Sequence, residues 1–228
     1  MTVPAIIQAR LSSARLPGKV LRPLAGRPML AWLIERLAAA RRLSGLAVAT
    51  SDARDDDAVA RYCDGAGVRC FRGPLDDTAE RLARVSEALG AESFVRVSGD
   101  SPFMDPAIVD LVVAQFGDGI DLASNVLKRT FPKGMSVEVV RLTALRRAQT
   151  MMRPGEAEHV TAVFYRRPEA FHIVGVESGR DWGGVQLAVD TEADFALASR
   201  VAAAMERGRS YGLAELVALR AACLAGAA

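Results

Sequence analysis

Three cations, Arg10, Arg15 and Lys19, stand close together near the start of the chain. They follow an apolar stretch, Val3 to Ile7, and share the segment Gln8 to Lys19 with Ser12, Ser13 and a Pro17-Gly18 turn. Guanidinium groups match phosphate oxygens two at a time, and a lysine adds a compact charge, so the segment reads as a seat for a triphosphate. If Val3 to Ile7 is the first strand of an open α/β sheet, the loop lies at its carboxyl end, where such folds bind ligands. A basic surface loop facing water is the competing reading. A Walker A site is excluded: Lys19 is followed by Val20 rather than a hydroxyl residue, and Ser12 or Ser13 stands where the first glycine would be.

Two aspartates complete the chemistry. Asp100 follows the apolar run Phe94-Val95-Arg96-Val97, and Asp190 follows Val185-Gln186-Leu187-Ala188-Val189. Carboxylates at the carboxyl ends of parallel strands point into the ligand crevice. Magnesium takes one or two such carboxylates plus substrate phosphates and waters. Taken singly, each aspartate also reads as a helix cap or turn residue. Together with the basic loop they read as a metal–triphosphate site.

The elements that must position these groups alternate. Apolar spacing predicts helices over 28–43, 55–63, 77–89 and 106–116, separated by short strands at 46–50, 68–71 and 93–97. Pro28 and Pro106 suit first-turn positions, and Asp105 suits the cap before Pro106. The run Asp55-Asp56-Asp57 reads as helix-start chemistry rather than a metal site. Repeated strand–helix–strand units mean a parallel sheet covered on both faces, with the loops after the strands along one edge. Beyond residue 120 the regularity weakens. Strands are expected at 121–125, 136–140, 171–176 and 185–189, and helices at 143–152, 156–165, 193–206 and 213–224. One domain over 1–228 is expected, with 126–182 as an insertion or dimerisation arm.

The composition narrows the class. The chain has 228 residues, half of them hydrophobic, which is ample for one buried core. Its net charge of +2, with arginines spread along the chain, shows no nucleic-acid-binding surface. Three cysteines and two histidines give neither a disulfide framework nor a His-based metal site. No apolar run spans a membrane, and no basic leader precedes the first strand, so the expectation is a cytoplasmic protein.

The motifs resemble a known family. Gln-Ala-Arg-Leu-Ser-Ser-Ala-Arg-Leu-Pro-Gly-Lys-Val-Leu at 8–21, with Leu-Ala-Gly-Arg-Pro-Met-Leu behind it, is similar to the opening signature of the sugar-acid cytidylyltransferases. The similarity is to the branch of spore-coat polysaccharide biosynthesis cytidylyltransferase-like proteins, relatives of the acylneuraminate and 3-deoxy-manno-octulosonate cytidylyltransferases. Later motifs agree in order: Phe71-Arg72-Gly73, Ser98-Gly99-Asp100-Ser101-Pro102, Pro132-Lys133-Gly134-Met135-Ser136-Val137-Glu138-Val139, Glu158-His159-Val160-Thr161 and Val189-Asp190-Thr191-Glu192-Ala193-Asp194.

The resemblance implies an α/β, three-layer α/β/α nucleotide-diphospho-sugar transferase fold, Rossmann-like, with a mostly parallel mixed sheet. It implies a nucleotidyltransferase that moves CMP from CTP to a sugar acid or related acidic acceptor and releases pyrophosphate, in surface polysaccharide or glycan biosynthesis. Arg10, Arg15 and Lys19 would hold the triphosphate and carry the catalysis. Ala9, Ser12, Ser13, Arg72, Ser98 and Asp100 complete the implied nucleotide site, and Asp100 and Asp190 would bind Mg2+. A homodimer is implied as well. Ser98 stands where the octulosonate enzymes carry glutamine, and Ala162 where relatives in this branch often carry proline.

For the acceptor, Lys128, Arg129 and Lys133 could hold a carboxylate or phosphonate, or form a solvated basic loop. Glu138, in an apolar strand, faces the site or an edge. His159 contacts the acceptor or serves as a packed or capping histidine. Two alternatives stay open: another NTP or a non-sugar acceptor such as a phosphonate, and a catalytically weakened nucleotide-binding module.

Overall fold

Strand β1 (Val3–Gln8) is almost wholly buried, as its apolar run demands. The computed structural model describes residues 2–206 and 208–226. After β1 the chain forms the basic loop, a 3-10 turn at Lys19–Leu21, and a two-strand hairpin, β2 (Pro23–Leu24) and β3 (Arg27–Pro28). There follow α1 (Met29–Ala38), β4 (Leu43–Ser51), α2 (Asp57–Gly65), β5 (Arg69–Gly73), α3 (Thr78–Ala88), β6 (Ser93–Ser98) and α4 (Pro106–Ala114). Next come β7 (Leu122–Ser124), β8 (Glu138–Arg141), α5 (Leu142–Gln149), α6 (Ala162–Arg166) and β9 (Ile173–Gly175). Helices α7 (Glu192–Ala204) and α8 (Leu213–Ala225) close the chain.

Seven strands form the main sheet in the order β5-β4-β1-β6-β8-β7-β9. The strands β5, β4, β1 and β6 are parallel, β8 is antiparallel to both its neighbours, and β9 runs parallel to β7. One face packs on α1, α2, α4 and α7 through Leu33, Cys63, Val109 and Phe195. The other packs on α3, α5 and α6 through Leu82, Leu145 and Phe164. This is the expected three-layer sandwich with a mostly parallel mixed sheet.

Local signals hold where they were strong. Asp105 caps α4, accepting from the Ala107 amide at 2.9 Å, with Pro106 in the first turn. Asp77 caps α3 through the Glu80 amide at 2.8 Å. The segment 126–182 contributes β8 to the interior of the sheet and packs α5 and α6 on its second face.

Two expectations are corrected. Residues 156–165 are not one helix. A 3-10 turn, Glu156–Glu158, ends where the His159 backbone turns out of the helical region, and α6 begins only at Ala162. Residues 185–189 form no strand. Their backbone groups pair instead with a loop and a strand end: Lys133 with Val185, Leu187 and Ala188, and the Val189 amide with the Asp100 carbonyl at 2.9 Å. Extended chain is satisfied there without a ladder.

Candidate active site

The basic loop leaves the end of β1 and is fastened at several points. Leu16 and Val20 are buried in the core. The Asp56 carboxylate, itself buried, accepts from the Leu11 amide at 2.6 Å, from the Ser51 amide at 3.1 Å and from the Ser51 hydroxyl. The central aspartate of the 55–57 run therefore ties the loop to the end of β4. It makes no side-chain cap at α2.

Held in this way, the loop sends its cations into a cleft of about 350 Å³. The ammonium of Lys19 donates to the Val189 carbonyl at 2.6 Å and to Asp190 Oδ1 at 3.1 Å, and stands 3.7 Å from Asp100 Oδ2. Arg15 reaches Asp190 at 3.0 Å. Arg10 meets Glu158 at 3.4 Å and the Leu75 carbonyl at 3.3 Å. Lys19 thus lies within 4 Å of both predicted metal ligands, although Asp100 and Asp190 belong to different elements. Two glycines permit this approach. A Cβ on Gly99 would lie 3.0 Å from the Gln8 carbonyl oxygen and 3.1 Å from Ala9 Cβ. One on Gly134, at φ +95°, would lie 2.5 Å from the Ala188 nitrogen, where the chain runs on to Asp190.

Arg10, Arg15, Lys19, Arg81 and Arg96 line this cleft against only three carboxylates, Asp100, Glu158 and Asp190. Such a surplus of positive charge in a concave site favours a polyanion. Among the described residues no group of three or more His, Cys, Asp or Glu side chains is placed to hold a metal. The pair Asp100 and Asp190, hard oxygen donors beside a cationic cleft, fits a cation that completes its shell with phosphate oxygens and water.

A second cleft, of about 290 Å³, shares Arg96, Ser98, Asp100 and Asp190 with the first. Arg129, Lys133, Ser136, Glu138, Thr161 and Tyr165 complete it. Lys128 points elsewhere and pairs with Glu177 at 2.7 Å on the exterior. Glu138 is buried, and both its oxygens are engaged, one by Arg96 and one by the Tyr165 hydroxyl. Burial, and then the Glu138 carboxylate, push the Tyr165 phenol far above its ordinary value, so it stays a proton donor.

The structure gathers Ala9, Arg10, Ser13, Arg15, Lys19, Ser98, Asp100, His159 and Asp190 around the first cleft. His159 lines that cleft rather than the one holding Arg129, Lys133 and Glu138. Two expected nucleotide residues stand apart. Ser12 is exposed and lines neither cleft. Arg72 is spent on the carbonyls of Ser51 and Ala53 and on Asp57, which brace the turn into α2.

Four contributors escaped sequence reasoning: Asp56, Arg81, Arg96 and Tyr165. Arg81 is buried on α3, its Nη1 on the carbonyls of Pro74 and Leu75 and its Nη2 on Thr78 Oγ1 at 3.0 Å, while its Nε finds no partner among the described residues. Burial, and then the neighbouring Arg10, lower its pKa from the ordinary arginine value. The available signal was a cation on the apolar stripe of a helix, and for Arg96 a cation inside an apolar strand. A charge in such a place has to be paired or put to use.

Known proteins resemble this chain in sequence and in fold. The cytidylyltransferase family model matches residues 4–128. The spore coat polysaccharide biosynthesis protein SpsF of Bacillus subtilis is 34% identical over 200 residues, covering 83% of this chain and 82% of that protein. A 3-deoxy-manno-octulosonate cytidylyltransferase of Geobacter sulfurreducens is 38% identical over 147 residues, covering 62% of this chain and 57% of that protein. A cytidylyltransferase structure from Leptospira borgpetersenii superposes with a TM-score of 0.92 at 26% identity, covering 99% of this chain and 96% of that one. Matched over more than half its length by the family model and over most of it by a relative, the chain belongs to the cytidylyltransferase family and is a nucleotidyltransferase of the nucleotide-diphospho-sugar transferase fold.

Proposed function

We propose that the protein transfers CMP from CTP to a small acidic acceptor, releasing pyrophosphate, with Mg2+ held by Asp100 and Asp190. One observation carries this reading: two clefts meet at Asp100 and Asp190, one lined by the cations of the β1 loop and the other by Arg129 and Lys133. The name of the Geobacter relative supports CTP as donor and a sugar acid as the acceptor class. The name of the Bacillus relative supports a place in surface polysaccharide or glycan biosynthesis. A homodimer, supported by family resemblance, is expected to show as twice the chain mass in light scattering.

In the reaction the acceptor oxygen forms a bond to the α-phosphorus of CTP. The bond from that phosphorus to the bridging oxygen of pyrophosphate breaks, and its electron pair leaves with pyrophosphate. The acceptor proton passes to solvent. Arg10, Arg15 and Lys19 receive the β- and γ-phosphates and neutralise the charge that grows on the leaving group. Lys19 pairs with both aspartates before the nucleotide arrives and holds the two neighbouring carboxylates in place. A magnesium ion held there would supply charge neutralisation at the phosphate oxygens. Arg129 and Lys133 orient the acceptor by its anionic group, so that its nucleophile faces the shared wall.

The test is pyrophosphate release with Mg2+, each of the four NTPs, and a panel of acidic sugars and phosphonates. Release with CTP and one acidic sugar bears the proposal out. Release only with another NTP or with a phosphonate corrects the base or the acceptor. Binding of CTP without release from any pair overturns the transfer reading in favour of a binding module.

A further inference from the structure

Arg96 and Glu138, which line the second cleft, belong to one row across the sheet. Arg96 on β6 lies opposite Glu138 on β8, which lies opposite Ser124 on β7. Two residues deeper, on the same face of the sheet, the matching row is Phe94, Val140 and Leu122, all part of the apolar core. The core therefore ends and the cleft begins at a single step, and the first polar row carries an ion pair. Arg96 Nη1 and the Tyr165 hydroxyl both donate to Glu138, and Tyr165 also lies 2.6 Å from the Ser124 hydroxyl. On the other side Arg96 Nε donates to Gln8 Oε1 at 2.9 Å. Among the described residues, Arg96 Nη2 makes no hydrogen bond.

The two clefts share four residues: Arg96, Ser98, Asp100 and Asp190. Arg10, Arg15, Lys19 and Arg81 line only the first, and Arg129 and Lys133 only the second. Arg96 is thus the one cation common to both. In a transfer between two clefts, the group that must touch both is the phosphoryl being moved. We propose that Arg96 is a catalytic residue that binds a non-bridging oxygen of the α-phosphate through its free Nη2, and that Glu138 is the positioning residue that aims it. This rests on the nucleotidyl-transfer reading of the same site. The arrangement suits the task. The guanidinium is locked on two of its nitrogens before substrate arrives, so little reorganisation is needed as charge moves. Glu138, with each oxygen engaged, fixes Arg96 and Tyr165.

Calorimetry with CMP, cytidine and CTP tests this without the acceptor, because CMP and cytidine differ only by the α-phosphate. The wild-type protein should bind CMP at least tenfold more tightly than cytidine. Arg96→Gln should remove most of that ratio while leaving cytidine affinity unchanged, and Arg96→Lys should restore part of it. Because Arg96→Gln strands a buried carboxylate, the pair Arg96→Gln with Glu138→Gln provides a folded control in which both charges are gone. It should lose the same ratio. Glu138→Gln alone should reduce the ratio severalfold; a purely structural Glu138 would lower the unfolding temperature and leave the ratio intact.

A wild-type CMP affinity equal to that of cytidine overturns the inference, and so does a wild-type ratio in the folded double variant. In either case CTP binding by the wild type would leave the β1-loop reading standing. No CTP binding at all would overturn both.

Discussion

In the loop that follows β1, Arg10, Arg15 and Lys19 each have a carboxylate beside them, and Asp56 pins the backbone between them. In the loop from Lys128 to Lys133 only Lys128 has an acidic partner among the described residues, and it faces away from the clefts. Arg129 has a single 3.5 Å contact to Ser136, and the Lys133 side chain has no partner among the described residues. The first loop is preorganised, with its charges balanced by acids that a triphosphate and its cation must displace or share. The second is a pair of waiting charges. A donor of fixed chemistry suits the first arrangement, and an acceptor gripped by one anionic group suits the second.

The largest effect should come from the wall the two regions share. Asp100→Ala and Asp190→Ala should each lower turnover by at least about 10³-fold, since a metal site supplies several kcal/mol of charge stabilisation. Circular dichroism should show the fold intact. Near-normal pyrophosphate release by both purified variants would remove the metal assignment.

The next effect tests whether the first loop owes its order to Asp56. Asp56→Ala removes a charged acceptor from two amides, one of them buried, and from a hydroxyl, and should cost about 2–3 kcal/mol of stability in urea unfolding. It should also weaken CTP binding roughly tenfold with every cation retained. Unchanged CTP affinity would mean that the loop holds its shape without that anchor.

The second loop is sharpened by two lysines close in sequence. Lys133→Ala should raise the acceptor KM roughly tenfold and leave the CTP KM unchanged, as expected for loss of one charge-assisted contact. Lys128→Ala should change neither by more than about twofold, because exposed pairs such as Lys128–Glu177 are screened by solvent and contribute little. Equal effects from both would return this loop to a solvated patch.

The smallest effect concerns Glu158, which holds Arg10 where a phosphate is expected. Glu158→Gln should tighten CTP binding roughly two- to fivefold, the worth of one half-exposed ion pair. Weaker binding would show that Glu158 contacts the nucleotide instead of standing in for it.

How much of this was legible differs along the same line. The β1 loop could be read because its cations lie close together in sequence and follow an unmistakable buried strand. Asp105 could be read as a cap because capping is local. The role of Asp56 could not, because its partners Leu11 and Ser51 lie on other elements. Glu138 was read as facing a site or an edge. The sheet rules out the edge: it places Glu138 in an interior strand, lining the second cleft beside Arg96, with Tyr165 laid over it from α6. Residues 185–189 looked like a strand because their apolar run is strand-like, and spacing does not say whether a partner strand exists. Residues 156–165 looked helical, and the break at His159 has no glycine or proline to announce it.

By itself the sequence determined the alternation of strand and helix, the place of the cationic loop at a strand end, and the family. These depend on periodicity and short motifs, which act over a few residues. Only the tertiary structure decided which charges meet. Lys19 finds Asp190 at a separation of 171 positions, and Arg96 finds Glu138 across 42. Pairing at such distances is set by strand order and register, because Coulomb and hydrogen-bond energies depend on position in space and not along the chain.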